Sequence, residues 1–141
     1  MRLDRITTVD QVDEIIPMIQ KLHKETDKYI SLAGFLTWIT INLINPQSKM
    51  QIWKVTHENK TVGYAIAEIT LRYFVPECTV VDAYIEINDP KFVDEVEKFI
   101  MDWAEANACK IFSCYTNRAQ AMSKRHGFDS YGTLLMKRIG G

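Results

Sequence analysis

No glycine occurs between Gly63 and Gly127. Glycine is the residue that takes positive φ without steric cost, so that whole segment lacks the usual material of a phosphate-cradling loop. Cysteine is scarce too. The three present, Cys78, Cys109 and Cys114, make an odd count with no C-x-x-C pair. That count suits a reducing cytoplasm and not a disulfide framework. His23, His57 and His126 lie far apart, and none is spaced with a cysteine as zinc ligands are, so no metal site is expected. Long apolar runs are missing as well. The longest, Ile30 to Ile44, is interrupted by Ser31, Thr37, Thr40 and Asn42 and falls short of a membrane span, so no membrane partner is expected. Met1 to Asp10 carries charges and no apolar core, which is unlike a signal peptide. Charge of one sign is also absent. Seventeen Lys and Arg face eighteen Asp and Glu, for a net charge of −1, so nucleic acid is not an expected partner. The short basic clusters at Lys124–His126 and Lys137–Arg138 read as solvated surface.

What is present fits one domain, 1–141, with a sizeable core: 47% of the residues are hydrophobic and 25% charged. Arg2 to Thr7 reads as a short strand. Val9, Val12, Ile15, Ile16, Ile19 and Leu22 recur at helical spacing, predicting a helix from Val9 to His23. Thr8 would cap it, and Pro17 would kink or break it. A second helix is expected over Ile30 to Asn45, stopped by Asn45-Pro46 and apolar nearly all round. Strands follow at Gln51–His57 and Thr61–Tyr73, joined by the polar Glu58-Asn59-Lys60 turn. Pro76 is expected to break the chain. In Thr79–Ile87, Val81, Ala83, Ile85 and Ile87 alternate with Asp82, Tyr84 and Glu86. Asp89-Pro90 opens a helix whose buried stripe is Phe92, Val93, Val96, Phe99, Ile100 and Trp103. Then come a strand Lys110–Tyr115, a helix Arg118–His126 ended by Gly127, and a last strand Tyr131–Ile139. Three consecutive strands imply an antiparallel meander, and the helix after Pro90 a parallel crossover. The fold class is α/β (α+β): a mixed, mostly antiparallel sheet with helices on both faces.

Three segments carry a family likeness: Glu58 through Ala65, with its polar turn and glycine-bearing strand; Phe99 through Asn107, with Trp103-Ala104; and Ala119 through Gly127-Phe128. Together with the order of elements, these resemble the GNAT superfamily of acyl-CoA-dependent N-acyltransferases over nearly the whole chain. The resemblance implies acetyl-CoA as the acyl donor and an amine of a small molecule or protein as acceptor. It assigns the cofactor to the backbone of Ile85 and Ile87, to the segment with Asn88, Lys91 and Phe92, and to Thr116. The family's Arg/Gln-x-x-Gly-x-Gly/Ala loop is absent. Its place is taken by Ile87-Asn88-Asp89-Pro90-Lys91-Phe92, where Pro90 has no N–H and Asp89, Asp94 and Glu95 crowd the helix start. A self-capped helix is the expectation there. Where the family often has an acidic tyrosine, this chain has Ser123, and Tyr115 or Cys114 could stand in.

Acyl transfer to an amine needs a base. Glu68 and Glu86 are the candidates, as carboxylates within apolar strands; the alternative is that Glu68, Asp82 and Glu86 all face solvent. A Cys114–His126 nucleophile pair has no local signature behind it, and His23 reads as a helix-terminal side chain near a substrate groove or simply exposed. Two functions stay open. One is an N-acetyltransferase. The other is a catalytically inactive binding or assembly module, such as a virus-encoded accessory protein. In either case the Ile30–Asn45 helix could serve a protein partner or a second copy.

Overall fold

A computed structural model describes residues 1–26, 31–114, 127–129, 135–137 and 139. Its sheet has five strands in the spatial order of the sequence. These are β1 (Arg2–Ile6), β2 (Met50–His57), β3 (Lys60–Arg72), β4 (Val75–Ile85) and β5 (Ile111–Cys114). The first four pair antiparallel, and β5 joins β4 in parallel after the crossover helix α4 (Pro90–Ala106). The mixed sheet expected from the sequence is therefore present, and helices cover both faces.

Between β1 and β2 the expected Val9–His23 helix is two helices, α1 (Val9–Val12) and α2 (Ile16–Thr26). Pro17 accounts for the split. As the second residue of α2 it lies in the first turn, where a helical N–H has no partner to lose. Gln11 Oε1 accepts from the N–H groups of Thr7 and Thr8 at 2.7 and 3.2 Å, fixing the entry to α1. Next, α3 (Leu32–Ile44) is capped by Ser31, whose Oγ accepts from Gly34 N–H at 3.0 Å.

Two turns shape the meander. Glu58 and Asn59 take φ of 50° and 63°, the paired positive values of a two-residue hairpin turn that follows the sheet's twist. Tyr73 and Phe74 do the same at 50° and 68°. Pro76 does not break the chain but lies in β4, opposite Leu71. Arg72 and Val75 close the hairpin as the bonded pair, so alternation turns the nitrogen of Pro76 away from β3 and no ladder bond is lost. Its carbonyl accepts from Lys110 N–H at 2.9 Å.

β3 divides the core. Tyr64 and Ile66 pack with Ile15, Ile19, Ile39 and Ile52 under α1–α3, whereas Ala65 and Ala67 pack with Val96, Ile100 and Ala104 of α4. At Gly63 β4 leaves no room for a side chain: a Cβ there would run into the Tyr84 carbonyl oxygen.

Two strand expectations need correction. Ile66 pairs with Asp82 but Ala67 with Val80, so Val81 is an extra residue, a β-bulge. The bulge removes Val81 from the series with Ala83 and Ile85, and β4 ends before Glu86 and Ile87. The expected final strand Tyr131–Ile139 is not seen at its described residues 135–137 and 139, which lie in no ladder. The expected helix Arg118–His126 lies outside the described residues. Gly127, which was to end it, has φ of 70°.

Candidate active site

The bulge follows the last described pair of the β4–β5 ladder. Parallel pairing runs from Glu77↔Ile111 to Val80↔Cys114 and goes no further among the described residues. Beyond it, Asp82–Ile85 pairs with β3 and, among the described residues, with no second strand. Glu86 N–H donates to Val62 O at 2.8 Å, which fixes the alternation: Tyr64↔Tyr84 is a bonded pair, and the N–H groups of Ala83 and Ile85 turn away from β3, that of Ala83 bonding the Asp82 carboxylate. An apolar cavity of about 120 Å³ lies beside this edge, lined by Val80, Ala83, Ile85, Val93, Phe112 and Phe128 among others. Cys114 also lines it, and burial pushes its thiol up from the usual range, with Glu97 adding to the shift. A thiol held protonated is a poor nucleophile, which weakens the Cys–His alternative. His126 lies outside the described residues.

On the opposite face of the same strand, the bulge turns Asp82 inward under α2. His23 Nε2 lies 3.1 Å from Asp82 Oδ2, and Tyr64 Oη donates to the same oxygen at 2.9 Å. Neither bond uses Oδ1. The side chains of His23 and Asp82 are 11% and 14% exposed. Burial raises the Asp82 pKa above the usual carboxylate value, and the bonds from Tyr64 and His23 pull it back part of the way. Tyr64 is raised far more, first by burial and then by the Asp82 charge, so it stays a donor. An ionised Asp82 accepts hydrogen bonds, which places the imidazole proton on Nε2. His23 Nδ1 is then a buried acceptor without a partner, and the ring rests against Phe35 with centroids 4.4 Å apart. A largely buried carboxylate held by a phenol and an imidazole can take a proton from an amine that reaches it.

The other expected residues fall as follows. Glu68 is half-buried on β3, opposite Thr79, on the same face as Tyr64 and Ile66. Glu86 is exposed just past the end of β4, with its N–H on Val62. No hydrogen bond joins either to the Asp82 cluster. Ile85 lines the apolar cavity, whereas Ile87 lies beyond the strand. Asn88 and Lys91 are exposed, and Phe92 packs edge-on against His57 with centroids 4.9 Å apart. Ser123, Tyr115 and Thr116 lie outside the described residues. Asp82 and His23 are the pair that sequence reasoning missed. Asp82 does not face solvent, because helices cover both faces of the sheet.

The start of α4 behaves as its sequence predicts. Asp89 caps the helix, its Oδ1 accepting from Lys91 N–H at 3.0 Å, and Phe92 N–H bonds to Asp89 O at 3.0 Å. An acyl-CoA can therefore be tested against the site in two parts. The apolar cavity beside β4, at about 120 Å³, suits an acyl-pantetheine arm in its lining but has room for only part of one. The helix start, with a carboxylate already seated on it, does not fit the diphosphate.

No protein-family model matches the chain, and no curated protein matches it in sequence. Solved structures do match in fold. A tetramutant of the BH1408 protein from Bacillus halodurans superposes with a TM-score of 0.78 at 10% identity, covering 99% of this chain and 100% of that one. An aminoglycoside antibiotic 6'-N-acetyltransferase from Acinetobacter haemolyticus gives 0.75 at 14% identity, with 99% of both chains covered. An aminoglycoside N-acetyltransferase solved in complex with CoA gives 0.71 at 11% identity, covering 99% of this chain and 95% of that one. The architecture is the GNAT fold. At these identities the likeness is one of fold. Among the described residues no helix is long and apolar enough to cross a membrane.

Proposed function

We propose that the chain is an N-acyltransferase that moves an acyl group from a pantetheine thioester to an amine. One observation carries this: the bulge at Val81 sets the Asp82 cluster on one face of β4 and the apolar cavity along Ala83 and Ile85 on the other. The thioester arm lies on the α4 face along Ala83 and Ile85, with its carbonyl toward the gap. The Ile85 N–H, which turns away from β3, draws charge onto the carbonyl oxygen. From the α2 face the amine approaches Asp82, which takes its proton. The amine nitrogen bonds to the carbonyl carbon, the C–S bond breaks, and the thiolate takes up a proton as it leaves. His23 and Tyr64 hold the carboxylate in place and support its charge.

The acceptor is an amine of a small molecule or a protein. The same proposal gives the outward side of α3, where Ile41 and Ile44 are 55% and 69% exposed, to a second copy or protein partner. A catalytically silent binding module is the alternative, favoured by the self-capped start of α4.

Thiol release from acetyl-CoA and acetyl-pantetheine across a panel of primary amines tests the proposal. Amine-dependent release is expected. Release no faster than without protein, at millimolar donor and for every amine class, would leave only the binding module.

A further inference from the structure

The mismatch at α4 bears on the donor, and the inference rests on the acyltransfer proposal. Three residues open the helix. Pro90 has no N–H, Lys91 N–H is held by the Asp89 carboxylate, and Phe92 N–H is held by the Asp89 carbonyl. The side chain that an incoming phosphate would have to replace is itself an anion covalently fixed at that spot. Nor can the turn step aside easily, because Phe92 is packed on His57 of β2. The exposed acids Asp94 and Glu95 stand in the next turn and add to the negative field. The arm side is different in kind. Its cavity is lined almost wholly by apolar side chains, and the Ile85 N–H, turned away from β3, offers a bond to an amide-bearing chain.

We propose that the donor is recognised through its acyl-pantetheine arm alone, with the nucleotide diphosphate contributing nothing to binding. The donor class is then any acyl-pantetheine thioester, whether it ends in a nucleotide or not.

Two measurements on the full chain decide this. The first compares kcat/KM for acetyl-CoA and S-acetyl-pantetheine, with S-acetyl-N-acetylcysteamine as the truncated-arm control. The expected result is a ratio for the first two within about threefold, under 1 kcal/mol of differential recognition. The control should be much poorer. A preference for acetyl-CoA of about thirtyfold or more would overturn the inference while leaving the acyltransferase proposal intact. The second measurement is calorimetric binding of CoA, of pantetheine and of adenosine 3',5'-bisphosphate. CoA and pantetheine should bind alike with little salt dependence, and the bisphosphate should neither bind nor compete. Competition by the bisphosphate would also overturn it. Equal binding without transfer would keep the inference and remove the catalytic proposal, and binding of neither would remove both.

Discussion

Asp82 on β4 and His23 on α2 meet at 3.1 Å although 59 positions separate them in the chain. The contact exists because a bulge re-aims one strand and a proline restarts one helix. If Asp82 is the base, Asp82→Asn keeps the shape and removes the proton acceptor. Acyl transfer should fall by about 100-fold or more, the usual worth of a positioned base. Circular dichroism should be unchanged. Retention of more than a third of the rate would take Asp82 out of the chemistry and return Glu68 and Glu86 to candidacy.

The raised Asp82 pKa also fixes a sign. In the fold, burial favours the protonated carboxyl. The associated stability is complete below the unfolded value of about 3.9 and is lost as pH rises through the folded value. Wild type should therefore lose ground to Asp82→Asn as pH climbs from about 4 toward neutrality. Paired thermal melts across that range read the difference directly. A gap that widens in favour of wild type would mean that the Tyr64 and His23 bonds outweigh burial.

Much of the fold was legible because local chemistry and pattern agree. The expected stripe of α4 holds at Val96 and Ile100, which are buried, whereas Val93 and Phe99 are exposed and Ala104 completes the buried side; Asp89-Pro90 reads as a cap wherever it stands. The Glu58-Asn59 turn was equally plain. The site was less legible. Period-two alternation across Thr79–Ile87 assumes a regular strand, and the single extra residue Val81 shifts everything before it against everything after it. Pattern alone also sends alternate residues to solvent, which fails once helices cover both faces. One signal was available: Tyr64, Asp82 and Tyr84 combine polar-tipped aromatics with a carboxylate on neighbouring strands, a set that suits a buried polar cluster better than a wet face.

The turn at Tyr73 and Phe74 was missed for the opposite reason. Nothing in those two residues suggests left-handed backbone, yet both adopt it, and they are 91% and 92% exposed. The strain gains no packing in return. Replacing the pair by Tyr73→Asn and Phe74→Gly supplies the residues such turns favour, and should stabilise the fold by about 1 kcal/mol or more. Urea unfolding should show a higher midpoint at an unchanged slope. A loss of stability would mean that the aromatic rings make contacts worth more than the backbone strain.

Asp89 has two consequences that a pair of substitutions separates. As a cap it satisfies Lys91 N–H, and as a charge it opposes a second anion at the same place. Asp89→Ala removes both and should cost about 1 kcal/mol in urea unfolding. Asp89→Asn keeps an accepting oxygen and removes the charge, so its stability should stay within a few tenths of a kcal/mol of wild type. Calorimetry on the Asn variant then isolates the electrostatic part. If repulsion by the carboxylate is what excludes the diphosphate, CoA should gain affinity over pantetheine in that variant. If CoA and pantetheine stay equal, the exclusion comes from the bonded backbone itself: Pro90 has no proton to give, and the N–H of Phe92 is already spent.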